Sequence, residues 1–107
     1  MHRQDFQRVK LTGKNRRSTH FLVSLAPNEV NRPRLGVVAT KKLGTAVQRN
    51  RVKRLVREFF RLHKGVLPPL DMVVIAKRNA TELTYADVRA ELAALLALPG
   101  PIEETGG

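Results

Sequence analysis

Lys41-Lys42-Leu43-Gly44-Thr45-Ala46-Val47-Gln48-Arg49-Asn50-Arg51-Val52-Lys53-Arg54-Leu55-Val56-Arg57-Glu58 is the stretch on which the fold turns. From Lys41 to Lys64 the chain carries nine Lys/Arg and one acid, a net +8 in 24 residues. Within it Val52, Leu55, Val56, Phe59, Leu62 and His63 recur at helical spacing. Periodicity and charge together predict a helix with one side in a core and the other facing a polyanion. A basic run without periodicity would instead be a disordered arm. Thr45, with Gln48 three residues on, gives the helix a capping-box start; Gly65 and then Pro68-Pro69 stop it.

Outward from that helix the pattern changes. Asp5 to Lys10 is a short helix with Phe6 and Val9 on one side, ended by Thr12-Gly13. Lys14 to Ser18 is a basic connector with room for a short edge strand. His20 to Ala26 reads as a strand, with Phe21, Val23 and Leu25 on one face. His20, Leu22, Ser24 and Ala26 make a mixed second face, open to a ligand. Pro27-Asn28-Glu29-Val30-Asn31-Arg32-Pro33 is turn chemistry, and Arg34 to Thr40 is a second strand, so an antiparallel hairpin is expected here. Leu70 to Lys77 is a third strand whose near-continuous apolar centre predicts burial on both faces. Arg78 to Leu83 is a loop. Thr84 then caps a last helix, with Asp87 three residues later and Tyr85, Val88, Leu92, Leu95 and Leu96 facing inward. The fold class is α+β: a small, mostly antiparallel sheet with one strand-helix-strand crossover and helices at the N-terminus, centre and C-terminus. Residues 1–98 are expected to form a single domain, with its basic face toward a polyanion, and residues 99–107 a loose C-terminal tail.

Composition sharpens the expected partner. Twenty Lys/Arg against nine Asp/Glu give +11, which favours nucleic acid or an anionic membrane. Residues 1–40 hold eight basic and two acidic side chains, residues 65–107 three and six, so the polyanion surface belongs to the first two-thirds. No cysteine is present, which excludes disulfides and thiolate zinc sites. No apolar run could span a bilayer and no signal peptide is visible, so a soluble, cytoplasmic protein is expected, with no membrane partner and no small-molecule substrate.

Arg49, Lys53 and Arg57 lie at i, i+4 spacing and form one ridge, which Arg61 continues; Arg51 and Arg54 form a neighbouring ridge, with Glu58 in reach of either. Such close cations repel by a few tenths of a kcal/mol per pair, roughly. Phosphate from outside the chain would offset that. Asn50 is a poor helix former; its amide either bonds RNA or fixes a neighbouring Arg, or it is a tolerated surface residue. Phe6 is either a core anchor or a stacking platform for an unpaired base. Catalytic machinery is missing: His2, His20 and His63 have no metal-ligand spacing, no paired acids of a two-metal nuclease occur, and Leu43-Gly44-Thr45 carries a single glycine. The protein by itself is not expected to be catalytic.

These residues resemble the protein subunits of bacterial ribonuclease P. The likeness rests on Leu43, Ala46, then Arg49-Asn50-Arg51-Val52-Lys53-Arg54 and Val56-Arg57. It is supported by Asp5-Phe6-Gln7-Arg8-Val9, Arg34-Leu35-Gly36-Val37, Lys41-Lys42 and Asp71-Met72-Val73-Val74-Ile75-Ala76, and it covers about residues 5–97. The resemblance implies a non-catalytic subunit that binds the catalytic RNA and the 5′ leader of precursor tRNA and assists removal of that leader. It implies no cofactor bound by the protein, magnesium being held in the holoenzyme through the RNA subunit. It implies a left-handed crossover, against the usual rule. It places Lys41, Lys42, Arg49, Asn50, Arg51, Lys53, Arg54 and Arg57 against the catalytic RNA, and Phe6, Lys10, Leu22, Ser24 and Val38 in the leader cleft.

Two departures follow from the same comparison. Only Met1 to Gln4 stands where a basic segment usually precedes the first helix, and Lys10 and Ser24 stand where the family often has Phe and Tyr. Leader binding is therefore expected to rest more on charge than on stacking and to be salt-sensitive. A ribosomal or other structured-RNA packing protein would share the charge and the small α+β fold, without needing an open sheet face beside a short helix. A free-standing nuclease would need clustered acids or histidines.

Overall fold

The computed structural model describes residues 3–96. Helix α1 (Arg3–Thr12) is followed by β1 (Lys14–Arg17), β2 (Phe21–Pro27), β3 (Arg34–Val38), α2 (Ala46–His63), β4 (Leu70–Ala76) and α3 (Tyr85–Leu95). Single 3-10 turns stand at Lys41–Leu43 and Ala80–Glu82. The sheet order is β1-β2-β4-β3, antiparallel except for the parallel pair β3 and β4, which α2 connects. The α+β class, the crossover and the three helix positions follow the sequence expectation. The expected tail, residues 99–107, lies outside the described residues.

The expected hairpin between β2 and β3 does not form, because β4 lies between them. The apolar run Leu70–Ala76 gains most in the centre, where both of its edges are hydrogen-bonded and both faces covered; Met72, Val73 and Val74 are all buried. β3 follows Pro33, which cannot donate to a ladder, and its Leu35, Val37 and Val38 stay half-exposed. That strand suits an edge. The turn residues between β2 and β3 permit a hairpin but cannot choose it over insertion of a distant strand.

The two sheet faces carry two cores. On one, Phe21, Val23 and Leu25 of β2 and Met72, Val74 and Ala76 of β4 meet Val52, Val56 and Phe59 of α2 and Val88 and Leu92 of α3. Each Val, Leu, Phe or Met among them contributes roughly 1.5–3 kcal/mol by leaving water, so this layer holds most of the stability. On the other, α1 seats Val9 over Ala26 and Val73, with Phe6, Val38 and Ile75 packed beside them. Only part of that face is covered.

The helix starts are as expected: Thr45 Oγ1 accepts from the Gln48 N–H while Gln48 Oε1 accepts from the Thr45 N–H, and Thr84 with Asp87 repeats the box. Gly44 makes the first possible, since its φ of 154° is left-handed-side backbone and a Cβ there would lie 2.3 Å from Gln48 Oε1. Two expectations on α2 are corrected. Leu62 is 54% exposed, because it falls at the rim of the apolar stripe in the last turn. Glu58 pairs with neither Arg51 nor Arg54 but with Arg61, whose Nε and Nη2 donate to it at 3.0 and 2.7 Å.

Candidate nucleic-acid interface

Burial of Val52, Val56 and Phe59 orients α2 and turns its cations outward. Asn50, Arg54 and Arg57 are exposed; Arg49, Arg51 and Lys53 are half-buried. Among the described residues no acid pairs with Arg49, Lys53, Arg54 or Arg57. The Arg49 Nε is covered and has no acceptor. Arg51 is different: its Nη1 donates to the Thr81 carbonyl at 3.0 Å and holds the turn before α3. Lys41 and Lys42 stand exposed on the 3-10 turn leading into α2. The result is a cationic surface whose neighbouring acid, Glu58, is taken by Arg61.

The second surface is the part of the sheet that α1 leaves uncovered. Register sets Arg17, Leu22, Ile75 and Val38 side by side across all four strands. Leu22, Ile75 and Val38 are half-exposed and Arg17 is exposed, so this row is open. In the next row Ser24 is 2% exposed and its hydroxyl donates to Asn15 Oδ1 at 2.6 Å, so it underlies the surface. Lys10 is exposed on α1. Phe6 is half-buried with its ring on Gly36, where a Cβ would lie 2.4 Å from the ring. Of the two roles open to Phe6, its packing is that of an anchor.

Asp71 fixes α1 over this face. Its side chain is fully buried and accepts from Arg34, from Arg8 of α1 and, at 3.0 Å, from the Asn28 amide. Arg8 also donates to the Pro27 carbonyl at 2.9 Å. The Arg34 hydrogen bonds hold the Asp71 carboxyl below the usual carboxylate range, against the desolvation that raises it. The Asp71 carboxylate reciprocally raises Arg34.

Some of this lay beyond sequence reasoning. Arg17 enters the open row only through the register of β1, a strand too short and polar to announce its facing. Lys77 and Arg78, at the end of β4, gather with Lys42 and Thr40 around a depression of about 240 Å³. Lys77 Nζ donates to the Ser18 carbonyl at 2.7 Å. A basic pair directly after a buried strand was the available signal. Among the described residues no group of three His, Asp or Glu side chains is arranged to hold a metal ion.

Comparison with known proteins bears on this geometry. A family model described as Ribonuclease P matches residues 1–98. The ribonuclease P protein component of Syntrophus aciditrophicus is 45% identical over 95 residues, covering 88% of this chain and 80% of the relative. That of Desulfovibrio desulfuricans is 46% identical over 99 residues, covering 88% and 76%. Among solved structures, the Staphylococcus aureus RNase P protein superimposes with a TM-score of 0.85 at 36% identity, covering 91% of this chain and 90% of the other. The Thermotoga maritima RNase P protein gives 0.81 at 38%, covering 88% and 90%.

Proposed function

Since this chain belongs to the ribonuclease P protein family, we propose that its two surfaces divide the work between two RNAs. The protein is the non-catalytic subunit of a ribonucleoprotein endonuclease and assists RNA-catalysed removal of the precursor tRNA 5′ leader. The α2 face, through Arg49, Asn50, Arg51, Lys53, Arg54 and Arg57 with Lys41 and Lys42, packs against the catalytic RNA. The observation that carries this is that Arg49, Lys53, Arg54 and Arg57 of α2 have no acid partner among the described residues, so that phosphate is their natural counter-charge.

The open row, with Lys10 beside it, takes the single-stranded leader. Leu22, Val38 and Ile75 offer apolar contact to bases, Arg17 and Lys10 offer charge, Phe6 walls one end, and Ser24 supports from below. These residues come from five segments, α1, β1, β2, β3 and β4, so the leader surface exists only in the folded sheet. Among the described residues no cluster of His, Asp or Glu is arranged to hold a metal ion; under this reading magnesium is held by the RNA subunit. No helix among the described residues is long and apolar enough to cross a membrane. The working location under this reading is the cytoplasm, where tRNA precursors are processed.

The test is cleavage of a leader-bearing precursor tRNA by bacterial ribonuclease P RNA at low magnesium, with and without the protein. Wild type stimulates, the Arg49→Glu/Arg54→Glu variant does not, and protein alone leaves the substrate intact. A folded wild type without stimulation would move a structured-RNA packing role ahead.

A further inference from the structure

A groove of about 760 Å³ crosses the outer edge of β3. Phe6 and Gly36 form its wall on the α1 side; Arg57, Phe60 and Lys64 of the α2 segment form the wall on the other, with Arg32 at one end. β3 is an edge strand, so the groove joins the two faces of the sheet around an open border. Its size falls in the range of small-ligand sites, enough for one or two nucleotides.

The lining is cationic and holds no acid. Arg34 is committed to Asp71 and Arg57 to the face assigned to the catalytic RNA, but Arg32 and Lys64 are exposed and form no ion pair among the described residues. The Lys64 ammonium lies 5.9 Å from the centre of the half-buried Phe60 ring, so charge and an aromatic surface stand side by side. Free cations alternating with a ring are what a sugar-phosphate strand with unpaired bases requires. An acidic peptide would use the cations but not the ring.

We propose that this groove is a second single-stranded RNA subsite, one that takes leader nucleotides beyond those over the open sheet row. The inference rests on the ribonuclease P reading above. A strand leaving the open face past Phe6 reaches Arg32 and Lys64 by rounding the β3 edge, with phosphates on the cations and a base on Phe60. The leader contact thus has two parts, a proximal one over Leu22, Ile75 and Val38 and a distal one in the groove.

Leader length separates them. Holoenzyme reconstituted with ribonuclease P RNA is titrated with precursor tRNAs carrying leaders of about four and about twelve nucleotides. Wild type binds the longer leader about tenfold more tightly, the scale of one stacked base with its phosphates. Arg32→Glu/Lys64→Glu removes that gain and leaves affinity for the short leader unchanged. The salt dependence for the long leader then becomes shallower by about 0.7 per lost phosphate contact. Gly65→Leu provides an uncharged control: Gly65 lines the groove and a Cβ there meets nothing within 4 Å, so the fold accepts the side chain while the groove is narrowed. It too removes the long-leader gain. Retention of the gain in both variants overturns the proposal. Failure of wild type to improve on RNA alone even with the short leader overturns the reading beneath it.

Discussion

Arg34 meets Asp71 side-on, its Nε and Nη2 each donating at 2.7 Å to a different oxygen of a fully buried carboxylate. Arg8 adds a third guanidinium contact from α1 and Asn28 a fourth donor from the loop. One carboxylate therefore ties together the first helix, the edge strand, the central strand and the turn between β2 and β3. Because α1 borders the open row, the Asp71 cluster sets the shape of the surface proposed for the leader without being part of it.

Asp71→Asn breaks this tie. The substitution costs about 3 kcal/mol, the lower end for removing one member of a buried pair, because the arginines left behind can turn toward water. Urea unfolding reads the loss. In reconstituted holoenzyme the variant also weakens leader binding while affinity for the catalytic RNA is kept, since α2 rests on the opposite face of the sheet.

Stability depends on acid in a defined direction. The folded-state carboxyl of Asp71 is lowered, first by Arg34. Asp87 is lowered by the Thr84 backbone N–H and Glu58 by Arg61. A lowered carboxyl stabilises the fold at pH above its unfolded value, about 4, and that contribution is lost as pH falls through the folded value. The urea midpoint stays level from about pH 7 to about 5 and drops below about 4. Asp71→Asn flattens much of that drop; an unchanged slope would remove Asp71 from the account.

Phe6 and Gly36 act as one unit. Gly36→Ala puts a methyl 2.4 Å from the Phe6 ring, which must swing away. It costs about 1–3 kcal/mol, and combining it with Phe6→Ala adds less than the two separate losses. Leader affinity divides differently. Lys10→Ala lowers it and its salt dependence, whereas Phe6→Ala leaves it near wild type, since the ring is already engaged by the sheet.

Arg54 is exposed on α2 and forms no ion pair among the described residues. Arg54→Ala weakens binding to ribonuclease P RNA and reduces the slope of log K against log salt by about 0.7–0.9, one phosphate contact. Thermal unfolding is unchanged. Thr45→Ala shows the reverse pattern, losing about 1 kcal/mol of stability with the capping box and little of the salt slope.

The chain announces whatever is written in local periodicity. The boundaries of α2, the boxes at Thr45–Gln48 and Thr84–Asp87, the two-sided burial of Leu70–Ala76 and the basic outer face of α2 all depend on residues close together in the chain. Strand order and the open row depend on partners far along the chain. Asp71 meets Arg34 and Arg8 at separations of 37 and 63 residues. Ser24 goes under Asn15, and Arg17 comes up beside Leu22, through the pairing of β1. The insertion of β4 between β2 and β3 rests on how much ladder and apolar surface each arrangement satisfies over the whole sheet. Amino-acid type and short spacing determine which segments form and which face carries charge. Only tertiary pairing decides which distant side chains share a surface, because a carboxylate or an apolar row is stabilised by whatever closes over it in space.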